Sequence, residues 1–73
     1  MTGQGIRLKI NGKAETVDPQ TARLTDYLAS KGIRPETVAV EVNLTVIEKS
    51  RYAETLLREG DEIEIVRFVG GGA

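Results

Sequence analysis

Apolar and basic residues alternate through Ile6-Arg7-Leu8-Lys9-Ile10, which predicts a strand with one buried face. Asn11-Gly12 follows at once, and both residues tolerate the positive φ that a two-residue hairpin turn demands. Lys13 to Val17 reads as the returning strand, closed by Asp18-Pro19. From about Thr21 to Lys31 the period changes: Leu24, Tyr27, Leu28 and Lys31 fall three and four apart, the stripe of a short helix. Gly32 supplies a left-handed cap, Ile33 can fold back onto the helix, and Pro35 blocks continuation. The start of this helix is its least defined boundary.

Val38-Ala39-Val40-Glu41-Val42-Asn43 alternates again, with three valines on one face. Leu44 to Ile47 fits either a short strand or a turn. Ser50 to Leu57 has room for a single helical turn anchored by Tyr52, Leu56 and Leu57. Glu59-Gly60-Asp61 is a turn, and Glu62 to Val69 is the last strand. The order hairpin, helix, strand, short excursion, strand predicts an α+β domain whose helix covers one sheet face. Among the small α+β folds that share this order is the ubiquitin-like β-grasp: a mixed four- to five-stranded sheet packed on one main helix, first and last strands paired at its centre. Residues 1–69 are expected to form the domain and 70–73 a flexible tail.

The last strand changes character along its length. Ile63, Ile65 and Arg67 share one face; Glu64, Val66 and Phe68 share the other. With the isoleucines inward, Val66 and Phe68 face solvent at the base of the tail and form a docking patch. A bulge returning both to the core is the other reading. The tail itself, Gly70-Gly71-Gly72-Ala73, has almost no side chains to pack. Three extended residues reach about 10 Å. Such a strip can thread a narrow channel and carry a terminal carboxylate into another protein's active site; a linker stub is the bland reading.

Composition narrows the chemistry. Seventy-three residues make one small domain. With no cysteine and no histidine, the chain has no thiol nucleophile, no Cys or His metal ligand and no imidazole base. Ten basic and eleven acidic residues, scattered and summing to −1, outline no nucleic-acid or membrane surface. No apolar run approaches the roughly 20 residues that span a bilayer, and Met1-Thr2-Gly3-Gln4-Gly5 lacks the regions of a signal peptide. A cytoplasmic protein is expected.

Ala39-Val40-Glu41-Val42-Asn43, Tyr52-Ala53-Glu54-Thr55 and the stretch from Glu59-Gly60-Asp61-Glu62 through Ile63-Glu64-Ile65-Val66-Arg67-Phe68-Val69-Gly70-Gly71-Gly72 together resemble the ThiS sulfur carriers of thiamine biosynthesis. The hairpin Ile10-Asn11-Gly12-Lys13 and the segment Leu28-Ala29-Ser30-Lys31-Gly32-Ile33 are similar to that family's opening. The resemblance spans about Ile6 to Gly72. It implies a recycled co-substrate rather than an enzyme, with no cofactor bound. A ubiquitin-activating-like (ThiF-like) adenylyltransferase uses ATP and magnesium to adenylate the terminal glycine. Sulfur derived from a cysteine desulfurase displaces AMP, and a ThiG-like thiazole synthase consumes the resulting thiocarboxylate.

This chain ends in Ala73 where the family's functional chain ends in glycine. Loss of Ala73 would leave Gly72 as the sulfur-carrying terminus, and loss of one more residue would leave Gly71; a cloning remnant and a diverged copy are the other readings. Val66, Arg67, Phe68 and Val69 are the candidate partner-binding residues beside the tail Gly70, Gly71 and Gly72. The small subunit of molybdopterin synthase is the nearest competing class, and a protein modifier joined to lysine is another. Glu59, Asp61 and Glu62 read as turn solubility rather than a metal site. Arg7 and Arg67 suit either an acidic partner or solvent, Asn43 a turn, and Tyr27 and Tyr52 half-buried packing.

Overall fold

A computed structural model describes residues 5–68; the tail and Val69 lie outside them. Strands β1 (Ile6–Ile10) and β2 (Lys13–Val17) form the hairpin, Ile6 opposite Val17 and Ile10 opposite Lys13. Asn11 and Gly12 have φ of 51° and 85°, as a type I′ turn requires. After a 3-10 turn at Pro19–Thr21 comes helix α1 (Leu24–Ser30), then β3 (Val38–Val42), β4 (Thr45–Ile47), a 3-10 helix (Lys49–Glu54) and β5 (Glu62–Arg67). The sheet order is β2-β1-β5-β3-β4, with β1 and β5 parallel and the other pairs antiparallel. This is the β-grasp topology with first and last strands central. No described helix is long and apolar enough to cross a membrane.

Helix α1 starts three residues later than its periodicity suggests. Asp18 accepts from the Gln20 N–H at 2.8 Å and caps the 3-10 turn instead, while Ala22 and Leu24 exchange backbone bonds with Leu57 and Thr55. The helix ends as expected. Gly32 has φ 71°, its N–H donates to Ala29 O, and Ile33 N–H donates to Leu28 O, both bonds of a Schellman motif. The core gathers Leu8, Val17, Leu24, Tyr27, Leu28, Val38, Val40, Tyr52, Leu57 and Ile63 between helix and sheet. Each fully buried aliphatic side chain contributes roughly 1.5–3 kcal/mol of transfer free energy.

Two expectations are corrected here. Tyr27 and Tyr52 are buried, not half-buried, because each hydroxyl finds an acceptor: Glu15 at 3.0 Å and Val38 O at 3.1 Å. Leu56 is no core anchor; it is 53% exposed and Leu57 fills the core in its place.

Two turn asparagines hold β5. Asn43, at φ 52°, accepts from Glu62 N–H at 2.9 Å and donates to Asp61 at 2.9 Å. Asn11 accepts from Ile65 N–H at 2.7 Å and donates to Ile65 O at 3.2 Å. Its side-chain amide therefore replaces one residue of β1 where that strand has turned away. Leu44, beside Asn43, also has positive φ, 71°. For a leucine this conformation costs about 1–2 kcal/mol.

Asn11→Gly keeps the turn geometry and removes both bonds to Ile65. It is expected to lower unfolding free energy by about 1–2 kcal/mol with an unchanged urea m-value; unaltered stability would show that these bonds do not hold β5. A pH effect follows from Glu15. The ammonium of Lys31 and then the Tyr27 hydroxyl hold its carboxyl below the ordinary 4.5, against some burial. The stabilisation is therefore present above pH 4.5 and lost as pH falls through the depressed value. In thermal melts across that range, Glu15→Gln should show a shallower loss than wild type; parallel curves would contradict the assignment.

Candidate functional site

The site is built where β5 runs out of the sheet. β1 reaches Ile63 by strand pairing and Ile65 only through Asn11, so beyond Ile65 the chain has β3 alone as a neighbour. Ala39 pairs with Val66 and Val38 with Arg67, and Phe68 N–H donates to Thr37 O at 3.0 Å. This register is continuous from Ile63 to Arg67, with no bulge. Strand alternation then fixes the side chains: Ile63 enters the core, and Val66 and Phe68 stand on the opposite, outer face, 59% and 52% exposed. The bulge that would return Val66 and Phe68 to the core is absent, and both side chains are exposed.

Lys49 adds a contact that no local pattern in the chain marks. Its ammonium lies over the Phe68 ring, 4.7 Å from the centroid, and donates to Val38 O at 3.1 Å. The ring is therefore steadied at the surface without being buried. Arg67 points the other way. It borders an open groove of about 450 Å³ together with Lys31, Tyr27, Asn11 and Ile33. The structure thus brings Val66 and Phe68 together and leaves Arg67 on the opposite side of the strand. Val69, Gly70, Gly71 and Gly72 lie outside the described residues, so the expectations about the tail fall there as well.

The remaining candidates have local partners. Arg7 meets Glu59 at 3.0 Å, and its backbone and side-chain donors hold the Glu59 carboxyl below its ordinary value. Asp61 accepts from Asn43 and from Arg58 N–H, closing the turn into β5. Among the described residues no group of acidic side chains has the arrangement to hold a metal ion. Two exposed apolar residues were missed, Leu44 at 90% and Val46 at 66% exposure. Strand alternation could have flagged Val46; the left-handed turn that displays Leu44 has no marker in a residue of that type.

Fold and surface define a ubiquitin-like β-grasp protein whose central last strand presents an apolar patch just before a glycine-rich C-terminus. The ThiS family model matches residues 5–72. The sulfur carrier protein ThiS of Bacillus subtilis is 45% identical over 65 residues, covering 89% of this chain and 98% of that protein. A crystal structure of the thiamine biosynthesis protein ThiS from Geobacter metallireducens superposes with a TM-score of 0.77 at 35% identity, covering 92% of this chain and all of that one. The chain belongs to the ThiS family, the sulfur carriers of thiamine biosynthesis. It is also 37% identical over 67 residues to a thiazole synthase of Magnetococcus marinus, covering 92% of this chain but spanning only about a fifth, 20%, of that protein's length.

Because Phe68 is half-exposed, Phe68→Ala should cost less than about 1 kcal/mol in thermal unfolding, against the 3–5 kcal/mol of a buried phenylalanine. A loss in the larger range would place the ring in the core.

Proposed function

We propose that this chain delivers sulfur as a C-terminal thiocarboxylate on Gly72, formed after Ala73 is lost. The observation that carries the reading is the outward placement of Val66 and Phe68 immediately before the glycine segment. A carboxylate is a poor electrophile. A ThiF-like adenylyltransferase with ATP and magnesium joins it to AMP and releases pyrophosphate, which supplies a good leaving group. The terminal sulfur of a cysteine desulfurase-derived persulfide then attacks the acyl carbon and AMP departs, leaving an acyl disulfide; a thiol cleaves its S–S bond, is itself oxidised to a disulfide, and releases the thiocarboxylate.

The acyl carbon must enter at least two active sites, that of the activator and that of a ThiG-like thiazole synthase. A strip without side chains suits both entrances. The body supplies no reacting group; it offers the patch by which a partner grips it. The role is that of a co-substrate. The segment similar to this chain within curated thiazole synthases supports a synthase as one partner.

Intact-mass spectrometry tests the reading. After incubation with ATP, magnesium, the adenylating enzyme and sulfide, a species ending at Gly72 should gain the mass difference between sulfur and oxygen. The variant lacking Gly72 and Ala73 should stay folded and unmodified. Modification of that variant at the wild-type rate, or none of the wild-type chain, would contradict the assignment.

A further inference from the structure

We propose that Asn11 is a site of spontaneous modification. Its side-chain amide is lost through attack by the Gly12 nitrogen, Ile65 controls the rate, and the product loosens the tie between β1 and β5.

The first observation is the dipeptide and its setting. Asn11-Gly12 makes up the whole β1–β2 turn, and both residues are exposed. A Cβ placed on Gly12 would meet nothing within 4 Å, so the space around that residue is open. Among the described residues the Gly12 N–H makes no backbone hydrogen bond. Glycine also puts no side chain in the way of a group approaching its nitrogen. The other asparagine of the chain, Asn43, precedes Leu44, whose side chain stands in that path.

The reaction consumes water alone. The Gly12 nitrogen attacks Cγ of Asn11, a C–N bond forms, and Nδ2 departs as ammonia with the proton that Gly12 gives up. Water then opens the cyclic imide at either carbonyl. One opening leaves aspartate; the other leaves isoaspartate, whose main chain runs through Cγ. Either way an amide becomes a carboxylate, with no oxidation or reduction.

The folded chain restrains the first step. Oδ1 of Asn11 accepts from Ile65 N–H at 2.7 Å, and Nδ2 donates to Ile65 O at 3.2 Å. To reach Gly12 the carboxamide must leave Ile65 and give up both bonds. Conversion therefore proceeds from the fraction of molecules in which Asn11 has released β5. Two hydrogen bonds of ordinary net strength correspond to a slowing of about thirtyfold.

The product does not fit the same place. A carboxylate has no N–H to donate to Ile65 O, and its second oxygen faces that carbonyl instead. Isoaspartate also lengthens the backbone of a two-residue turn, against the register that sets Ile10 opposite Lys13. The last hold of β1 on β5 weakens one residue before Val66.

Ageing of the purified chain at mildly alkaline pH, followed by peptide mapping, tests the proposal. In concentrated urea Asn11 should exchange NH2 for OH while Asn43 stays intact. In native buffer the same conversion should run about thirtyfold slower. The converted chain, separated by its additional negative charge, should melt at a lower temperature and exchange its Ile65 amide about tenfold faster, with α1 unchanged. Asn11→Asp should reproduce both effects without ageing. Equal conversion of Asn11 and Asn43 in urea, or none at either, would overturn the site. Equal rates in urea and native buffer would overturn the control by Ile65. Unaltered Ile65 exchange in the converted chain and in Asn11→Asp would overturn the loosening of β5.

Discussion

The structure depends on how far β5 is held from both sides. β3 accompanies it to Arg67, and β1 only to Ile65, where the Asn11 amide stands in for a strand residue. Up to that point β5 is the middle of the sheet and Ile63 the middle of the core. Past it, the chain has one neighbour and two exposed apolar side chains. The strand thus begins in the core and ends with its apolar side chains exposed. The parallel pairing of β1 with β5 is what makes this possible. The helical crossover delivers the late strand to the centre of the sheet beside the first one, rather than to an edge.

The two faces of the sheet divide the work. The inner face, with α1 and the 3-10 helix, holds the buried side chains, and its polar groups are matched: Glu15 with Lys31 and Tyr27, Tyr52 with Val38 O. No buried side-chain polar atom among the described residues lacks a partner. The outer face carries features that do not help a domain of this size to fold. They are two opposed glutamates, an exposed valine on β4, and a phenylalanine braced by Lys49 rather than covered; the adjoining β3–β4 turn adds a leucine at positive φ. Stability is concentrated on one side, and departures from it on the other.

Much of this was legible in the residue pattern. Alternation placed β1, β2, β3 and β5, Asn11-Gly12 fixed the hairpin register, and Gly32-Ile33 fixed the end of α1, because each is a local rule with a local cause. The outward placement of Val66 and Phe68 followed from counting along the strand once Ile63 was assigned to the core. What the pattern could not supply was contact across the chain. Thr21 was lost to the helix because Asp18 caps a competing turn. Leu56 and Leu57 were indistinguishable until the backbone of Leu57 paired with Ala22 and turned one of them inward. The tyrosines sank further than expected because Glu15 and Val38 O, remote in sequence, met their hydroxyls. Lys49 and Phe68, 19 positions apart by number, meet only in the folded sheet. The terminal glycines were assigned by resemblance and composition, and they lie outside the described residues.

The central claim is that a partner grips this domain by the outer face of β5. Amide chemical-shift perturbation on isotopically labelled chain, titrated with the adenylating enzyme, addresses it most directly. The account predicts the largest changes at Val66, Arg67 and Phe68, extending across β3 on the outer face, with α1 and β2 unaffected. Perturbations centred on α1 and the groove beside Lys31, with the end of β5 silent, would contradict it.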